Sequence, residues 1–336
     1  MKGKKRRQIR VIWGTMILLL CLGLGGCVPG DPPPLQSLRV GINNWPGYTV
    51  ALYGQEAGLF ERRGITLDLV YFDHLQDAAR AMMRGAVDAT FVTLWDLMQV
   101  DPGNDSPALL MVTNLSWGSD GIVARPEIES VRDLAGRTVG ANLGTINHLI
   151  LLEALKLYDI SPEVVQIENV LNETAAERLE RDNLDGAVLW EPLLSETADR
   201  MGGNIIFTTR DVDSLVIDGL ASRASFVARH ERAFTQFILA WFDLMREVET
   251  RPERVFEGVA RELGQTPEAF ARDYGGLKKG DVALNRRMFS PGGRLGEATG
   301  EIVALLRKDP RHSRTIREDV KIETRPVMNA IEAWKP

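Results

Sequence analysis

Two tryptophan–acid pairs are the first groups in this sequence whose types and spacing could bind a ligand. Trp95-Asp96 and Trp190-Glu191 each follow a short apolar run, and each run follows an amphipathic helical pattern. An indole face beside a carboxylate suits an organic cation, a zwitterion or a nitrogen heterocycle, because both groups attract positive charge. Burial in the core is the alternative for each tryptophan.

Each pair ends a similar segment, so the chain contains a weak internal repeat. Residues 78–97 read AARAMMRGAVDATFVTLWDL, and residues 175–193 read AAERLERDNLDGAVLWEPL. A second pair of similar segments is DGIVAR at 120–125 and DGLASR at 218–223, and these two segments flank the residues between them. This arrangement predicts a self-contained α/β block entered and left by two crossing strands, and two unrelated Asp-Gly turns are the alternative.

The elements that position these groups alternate between strand and helix, which is typical of α/β folds with largely parallel sheets. Apolar residues recur at i, i+3, i+4, i+7 and i+8 over residues 75–83, as expected for an amphipathic helix. From Ser225 onward the pattern is mostly helical. The predicted strands lie at residues 38–42, 65–71, 87–92, 108–113, 138–141, 165–168, 186–189 and 204–208.

The N-terminal segment has the parts of a bacterial signal peptide. Six Lys or Arg residues precede an apolar stretch at residues 11–26, which is short for a membrane-spanning helix. The stretch ends in Leu24-Gly25-Gly26-Cys27, which resembles the lipobox of bacterial lipoproteins. The resemblance implies cleavage after residue 26, a lipid on Cys27 and a tether over residues 27–37. An ordinary signal peptide with an incidental cysteine is the alternative.

Cleavage would leave Cys27 as the one cysteine, because Cys21 leaves with the signal. An internal disulfide and a cysteine zinc site are then excluded, and no metal constellation or cofactor motif stands out among the four histidines. The formal charge would move from −6 to −12, because residues 1–26 contain six positive charges and no negative ones. An acidic chain of this kind is a poor candidate for binding nucleic acid.

Several segments together resemble the substrate-binding lipoproteins of ABC importers, in the nitrate, sulfonate, taurine and thiamine-precursor group. They span roughly residues 38–242, and their order and spacing carry the resemblance. The segments are LRVGINNWPGY, GLF at 58–60, RGAVDATFVTLWDL, SDGIV at 119–123, DLAGRTVG at 133–140 and LDGAVLWEP. The resemblance implies two α/β lobes joined by two crossing strands, with the ligand in the cleft. One lobe comprises residues 38–120 and 219–336, and the other residues 121–218.

The same resemblance implies a lipid-anchored protein of the bacterial cell envelope, facing the periplasm or the exterior. It would deliver its ligand to an ABC permease and its ATPase, and we expect it to be a monomer. A ligand that touches both lobes would favour the closed state. The predicted mechanism is therefore binding and not catalysis, so the protein is not expected to be an enzyme. A sensory module and an enzyme on the same fold are the alternatives. The thiamine-pyrimidine synthases rely on histidine and on a cysteine-rich motif, and residues 28–336 contain no cysteine.

Ligands of open α/β sheets bind beyond the carboxyl ends of the strands, and this rule selects a set of loops. Backbone amides at the start of the helix after Gly144 could also hold an anionic group, with simple capping by Thr145 as the alternative. His148 is expected to be a packing or surface residue and not a ligand contact. The predicted ligand-binding residues are Asn43, Asn44, Trp45, Tyr48, Thr93, Trp95, Asp96, Trp117, Ser119, Asp120, Gly144, Thr145, Asn147, Trp190, Glu191 and Asp218.

The charges in these loops favour one class of ligand. The loops contain Asp96, Asp120, Glu191 and Asp218 but no Arg or Lys, whereas a sulfonate or nitrate site would be expected to use an arginine fork or several strong donors. The sequence therefore predicts a nitrogenous ligand, with a sulfonate, taurine or nitrate-type anion as the alternative. Two questions stay open. Trp45 could be a wall of the cleft or a part of the core, and Asp120 and Asp218 could contact the ligand or only form hydrogen bonds at the hinge.

Overall fold

The computed structural model describes residues 35–101, 103–212, 214–308 and 315–335. The predicted signal peptide, the lipid-bearing Cys27 and most of the predicted tether lie outside these residues. Strands and helices alternate as far as the tenth strand, except that β5 follows β4 directly and β10 follows β9 directly, and helices dominate the remainder. Within the described ranges, no helix combines the length and the apolar character that a membrane crossing requires.

Twelve strands are described. They are β1 (Gln36–Ile42), β2 (Ile65–Tyr71), β3 (Ala89–Thr93), β4 (Pro107–Ser116), β5 (Asp120–Ala124), β6 (Thr138–Ala141), β7 (Gln166–Asn169), β8 (Gly186–Trp190), β9 (Asn204–Thr208), β10 (Ile217–Arg223), β11 (Leu277–Lys279) and β12 (Lys321–Ile322). Each strand predicted from the apolar runs overlaps one of these.

The helices pack on the sheets and connect the strands. They are α1 (Pro46–Glu56), α2 (Leu59–Arg62), α3 (Leu75–Met83), α4 (Leu94–Leu97), α5 (Ile146–Leu157), α6 (Asn172–Glu180), α7 (Leu193–Met201), α8 (Ala224–Thr250), α9 (Pro252–Leu263), α10 (Pro267–Gly275), α11 (Val282–Phe289), α12 (Arg294–Lys308) and α13 (Thr324–Ala333). Two short 3₁₀ helices lie at Val131–Leu134 and Pro162–Val164.

The strands form two separate sheets. The larger sheet has the order β11-β4-β10-β3-β1-β2, with β12 beside β4, and the smaller sheet has the order β7-β6-β8-β5-β9. Parallel pairs are β1 with β2 and β3, β4 with β12, and β6 with β7 and β8. The first strand after each crossing, β5 in the smaller sheet and β10 in the larger one, pairs antiparallel on both sides. The sheets are therefore mixed, although the sequence predicted mostly parallel ones.

The chain passes between the sheets twice, after β4 and again after β9. The two connections lie side by side: the hydroxyls of Ser116 and Thr209 are 2.8 Å apart, and the Gly118 N–H donates to Thr209 Oγ1 at 2.8 Å. The two Asp-Gly segments are thus the points at which the chain enters β5 and β10. This confirms the predicted two-lobed α/β fold with two crossings. The residue boundaries assigned to each lobe stay a prediction.

An aromatic cluster supports the larger sheet beneath the cleft. Tyr48 of α1 stacks on Phe91 of β3 with ring centroids 5.1 Å apart, and Trp241 of the long helix α8 packs against Phe91 at 5.6 Å. All three rings are fully buried. Dense aromatic packing of this kind fixes the carboxyl end of β3 against the loop that begins at Asn43.

Candidate functional site

A cavity of about 230 Å³ lies between the two sheets at the carboxyl ends of their parallel strands. Eight of the residues predicted from the sequence line it: Asn43, Trp45, Thr93, Asp96, Thr145, Asp120, Trp190 and Asp218. Lining residues that were not in that set are Asp73, His74, Leu75, Gln76, Asp77, Arg80, Asn142, Ile146, Leu171 and Val216. Selecting the residues at the strand ends therefore identified the inner wall of the cavity, but it missed several residues at the mouth of the cavity.

Asp218 is the most enclosed of the lining carboxylates of the larger sheet. It lies on β10 opposite Thr93 of β3 and Asn114 of β4. Tyr48 donates a short hydrogen bond from its hydroxyl to Asp218 Oδ1. The second oxygen, Oδ2, is buried and has no hydrogen-bond partner among the described residues. A buried carboxylate oxygen without a donor is costly, so this atom is a candidate ligand contact.

Asp120 is the corresponding carboxylate of the smaller sheet. It is the first residue of β5 and pairs with Trp190 of β8 across the antiparallel ladder. Its side chain is buried, and Oδ2 has no hydrogen-bond partner within the described part of the chain. The two crossing strands therefore each bring one incompletely satisfied carboxylate to the cavity.

Asp96 supplies a third buried carboxylate at the start of α4. Thr93 donates from Oγ1 to Asp96 Oδ2 at 2.7 Å, and the Asp96 N–H donates to the same Oγ1 at 3.0 Å. This local capping arrangement follows from a threonine placed three residues before an acid at a helix start. It orients Asp96 without neutralising its charge.

Burial and mutual repulsion shift the protonation of this acidic cluster. Burial raises the pKa of Asp120 from its usual range to about 7, the charge of Glu191 adds to the rise, and a hydrogen bond from Ser116 opposes it. Burial raises the pKa of Asp218 well above its usual range, helped by the charges of Asp120 and Asp96 and opposed by the Tyr48 hydrogen bond. Burial, with the negative charge of Asp218, also raises the pKa of Tyr48. A bound cation would reverse these shifts for the carboxyls.

Trp45 combines both interpretations that the sequence left open. It lines the cavity, yet only 8% of its surface is exposed and it belongs to the hydrophobic core. Its indole N–H donates to Asn114 Oδ1 at 3.3 Å, and its backbone N–H donates to Asn43 Oδ1 at 3.1 Å. The amide of Asn43 thus closes the turn just before α1, whose first residue is Pro46. Trp45 is at once a wall of the cavity and a part of the core.

Helix α3 adds a charged group that the sequence rule did not reach. Arg80 lines the cavity and forms an ion pair with Asp77, Nη2 to Oδ1 at 2.5 Å. Five aspartates and this one arginine are the acidic and basic lining residues, apart from His74. The lining is therefore strongly acidic. No group of three His, Cys, Asp or Glu side chains within the described ranges is arranged to hold a metal ion.

The carbonyl of Gly144 joins the two lobes beside the cavity. It accepts a hydrogen bond from Gln76 Nε2 at 3.1 Å and another from Trp95 Nε1 at 3.3 Å. Both donors lie on helices that pack on the larger sheet, whereas Gly144 lies between β6 of the smaller sheet and α5. Trp95 is itself almost fully buried and does not line the cavity. Trp95 therefore forms a contact between the two sides of the cleft and does not form part of the wall that would face a ligand.

The other predicted residues outside the cavity have local roles. Asn44 is exposed at an adjoining chamber, and the ring of Trp117 lies 3.1 Å beneath the Lys278 ammonium near the crossings. Ser119 donates from Oγ to the Asp273 carbonyl at 3.1 Å, and Asn147 donates from Nδ2 to the Val188 carbonyl at 2.6 Å. Glu191 accepts from the Ser195 N–H at 3.0 Å, close to the start of α7.

Side-chain capping of α5 by Thr145, which was the alternative to an anion site at this helix start, is not formed. The Thr145 hydroxyl donates to the Asn142 carbonyl at 2.7 Å and makes no side-chain cap at α5. His148 Nδ1 instead accepts from the Gly144 N–H at 3.2 Å, and His148 is buried. The sequence interpretation of His148 as a packing residue agrees with this position.

Some of the missed residues at the cavity mouth could have been identified from their position after a strand. Asp73 and His74 follow β2, and Leu171 follows β7, so the same strand-end rule selects them once it is applied to the edge strands as well. Arg80 and Gln76 lie within α3, where no loop rule applies. Their approach to the cavity depends on how that helix docks.

Taken together, the two sheets, the two crossings and the cleft between them have the fold of the periplasmic binding proteins. A sequence model of the NMT1-like family matches residues 31–257, and the chain belongs to this family. It is 23% identical over 231 residues to a putative binding protein of Brucella abortus (strain 2308), covering 68% of this chain and 67% of the relative. It is 23% identical over 247 residues to the taurine-binding periplasmic protein of Escherichia coli (strain K12), covering 71% and 74%.

Solved structures share the fold at lower sequence identity. The aliphatic sulphonate binding protein SsuA of Escherichia coli matches with a TM-score of 0.68 at 15% identity, covering 84% of this chain and 95% of that one. The desulfurization enzyme DSZB matches with a TM-score of 0.62 at 15% identity, covering 88% and 99%. The fold therefore serves binding proteins and an enzyme alike, and the function has to be argued from the site.

Proposed function

We propose that this protein is an extracytoplasmic solute-binding protein that captures a small nitrogenous molecule and delivers it to an ABC importer. The observation that carries the proposal is the pair of buried oxygens, Oδ2 of Asp120 and Oδ2 of Asp218, which have no donors among the described residues. A ligand ammonium group or ring N–H would supply those donors. The indoles of Trp45 and Trp190 would pack against its apolar faces.

The two aspartates also give a mechanism for capture. Asp120 lies on β5 of the smaller sheet and Asp218 on β10 of the larger one. A ligand that contacts both therefore bridges the lobes, proposed as residues 38–120 with 219–336 and residues 121–218. Such a ligand binds the closed arrangement more tightly than an open one and shifts the population toward it. The closed form is the state that a permease would recognise.

One observation favours the anionic alternative. Arg80 lies at the cavity, and an arginine is the usual partner of a sulfonate or carboxylate. The taurine-binding relative points in the same direction. However, Arg80 is already paired with Asp77, and each lining aspartate that is ionised repels a simple anion. A zwitterion, with its cationic group at Asp120 and Asp218 and its anionic group at Arg80, would match both kinds of charge in the lining.

The proposal is tested by a thermal-shift screen of the mature protein against betaines, polyamines, pyrimidines, taurine and alkanesulfonates. A ligand present at 100 times its Kd should stabilise the protein by about 2.7 kcal/mol. We expect nitrogenous or zwitterionic compounds to raise the Tm, and the Asp218→Asn variant to lose the shift. A response to alkanesulfonates alone would favour the anionic alternative, and no response across the panel would contradict solute binding.

The envelope location is part of the same proposal. Residues 24–27 support a lipid anchor on Cys27, and this cysteine lies outside the described residues. A Cys27→Ser variant, expressed with its leader, should leave the membrane fraction and lose incorporation of labelled fatty acid. Retention of both by the variant would contradict a lipid anchor at this position.

A further inference from the structure

A second, outer chamber adjoins the cavity along the cleft. It has a volume of about 450 Å³ and shares five lining residues with the inner cavity: Asp73, His74, Asn142, Leu171 and Trp190. Because these walls are shared, the two spaces form one continuous cleft. Sites for drug-sized ligands typically measure about 300–1,000 Å³, so the inner cavity alone has room for little more than a compact head group.

The outer chamber contains a buried donor without an acceptor. Asn172 lines the chamber, and only 2% of its surface is exposed. Its Oδ1 accepts from the Trp190 backbone N–H at 3.3 Å, which fixes the amide orientation. Nδ2 is buried and has no hydrogen-bond partner among the described residues. Buried amides are normally satisfied, so this one is suited to an oxygen of a ligand.

The rest of the chamber defines what kind of group carries that oxygen. Tyr71 and Leu171, from opposite lobes, are 52% and 44% exposed, and they are among the few large apolar side chains left open to solvent. Asp73 and Glu173 add acceptors and negative charge. Carboxylates accept hydrogen bonds from hydroxyls but repel a carboxylate, phosphate or sulfonate.

We propose that the outer chamber is a second ligand subsite, which holds a neutral, hydroxylated tail attached to the nitrogenous head. Asn172 Nδ2 donates to a tail oxygen, the tail hydroxyls donate to Asp73 and Glu173, and Tyr71 and Leu171 cover the apolar face. The ligand class is thus an amine or nitrogen heterocycle with a sugar-like or polyol substituent. This inference rests on the proposed function and narrows it.

Matched pairs of compounds test the tail separately from the head. Isothermal titration would compare cytosine with cytidine, adenine with adenosine, and ethylamine with 1-amino-1-deoxysorbitol. We expect the tail-bearing member of at least one pair to bind at least tenfold more tightly than its head alone. The Asn172→Asp variant keeps an acceptor for the Trp190 N–H, and an acid is favourable at the first residue of helix α6. The variant lacks the Nδ2 donor, however, so it should lose most of the tenfold advantage of the tail.

The control is Asn204→Asp, because Asn204 donates its amide to the Pro126 and Ile128 carbonyls away from the chamber. It should leave the advantage of the tail unchanged. Equal affinities within every pair that binds would overturn the outer subsite and leave the proposed function intact. An advantage that survives in Asn172→Asp would overturn the role of this amide. Binding of sulfonates with no binding of any pair, or no binding at 1 mM, would overturn both proposals.

Discussion

The hydroxyl of Tyr48 donates to Oδ1 of Asp218, a residue 170 positions further along the chain. This contact joins helix α1 to the strand by which the chain returns to the larger sheet. Tyr48 is held from the other side by its stacking on Phe91. The ring therefore has little freedom to move, and it fixes the carboxyl group whose second oxygen is left for a ligand.

Replacing Tyr48 with Phe should weaken ligand binding and destabilise the protein at the same time. The variant keeps the stacked ring but leaves Asp218 without its donor, which should lower the free energy of unfolding by about 1–3 kcal/mol. The ionised form of Asp218 becomes less favourable, so the Kd for a cationic ligand should rise about tenfold, which corresponds to about 1.4 kcal/mol. Urea unfolding and isothermal titration measure the two effects.

The matched control for this substitution is Tyr53→Phe, on the same helix. The Tyr53 hydroxyl lies 3.4 Å from Glu247 Oε2, and Tyr53 does not line the cavity. Its removal should leave ligand affinity unchanged. An unaltered Kd in the Tyr48 variant would show that Asp218 does not depend on this hydroxyl for binding.

The acidic cluster predicts that the ligand-free protein becomes less stable as the pH rises. Burial raises the pKa of Asp120 to about 7, whereas an unfolded aspartate titrates at about 3.9. Between these values the folded state binds more protons than the unfolded state, so the free energy of unfolding falls from about pH 4 to pH 7. Over the same window the affinity for a cationic ligand should rise, by up to about tenfold per pH unit for each proton released.

The Asp120→Asn variant separates function from stability in this window. It removes a charge that is unfavourable in the ligand-free state, so at pH 8 its Tm should exceed that of the wild type and vary less with pH. Ligand affinity should fall more than about tenfold because a charged partner is lost. If the variant is instead destabilised equally at pH 5 and pH 8, Asp120 is a hinge residue, which is the other interpretation that the sequence allowed.

The sequence predicted the strand ends well and the directions of side chains poorly, for a physical reason. The carboxyl ends of parallel strands lie at the same edge of a sheet, whatever side chains surround them. The pattern of strands alone was therefore enough to group Asp96, Asp120 and Asp218 at that edge. Successive residues of a helix point about 100° apart, and Trp95 and Asp96 of α4 therefore separate, the first toward the other lobe and the second toward the cavity. That outcome, like the position of Arg80, depends on how helices dock between lobes.

Trp45 should prove important for both stability and binding, because it serves both as a wall of the cavity and as a part of the core. Because it is nearly buried and bonded to Asn114, truncation to Ala should lower the free energy of unfolding by about 3–5 kcal/mol. Trp45→Phe should recover most of this stability while binding stays weakened. Urea unfolding of both ligand-free variants provides the measurement, and an unchanged midpoint for Trp45→Ala would place the ring outside the core.

Arg80 distinguishes the two candidate ligand charges. If the ligand is a cation or a neutral heterocycle, Arg80→Gln removes a positive charge from the lining and should leave the Kd unchanged or lower it. If the ligand carries a sulfonate or carboxylate at this end, loss of the guanidinium should raise the Kd by more than about tenfold. Arg84→Gln, just beyond the same helix and not part of the lining, is the control, since it changes the net charge equally.

The hydrogen bond from Trp95 to the Gly144 carbonyl should stabilise the closed arrangement of the lobes, since donor and acceptor belong to different lobes. Trp95→Phe keeps a large aromatic ring but removes the indole N–H, which weakens closure by about 0.5–1.5 kcal/mol. This loss of free energy should raise the Kd about two- to tenfold. Affinity changes among related complexes lie mostly in the dissociation rate, so the ligand should dissociate faster. Stopped-flow fluorescence measures the rate.

Trp241→Phe is the matched control for this contact, because Trp241 donates to the Gly280 carbonyl at 3.2 Å entirely within the larger lobe. Both variants lose one indole hydrogen bond and a similar buried volume, so both should be destabilised when free of ligand. Only Trp95→Phe should change the dissociation rate, since only its bond is made across the cleft. Equal dissociation rates in the two variants would mean that this bond supports the fold without contributing to closure.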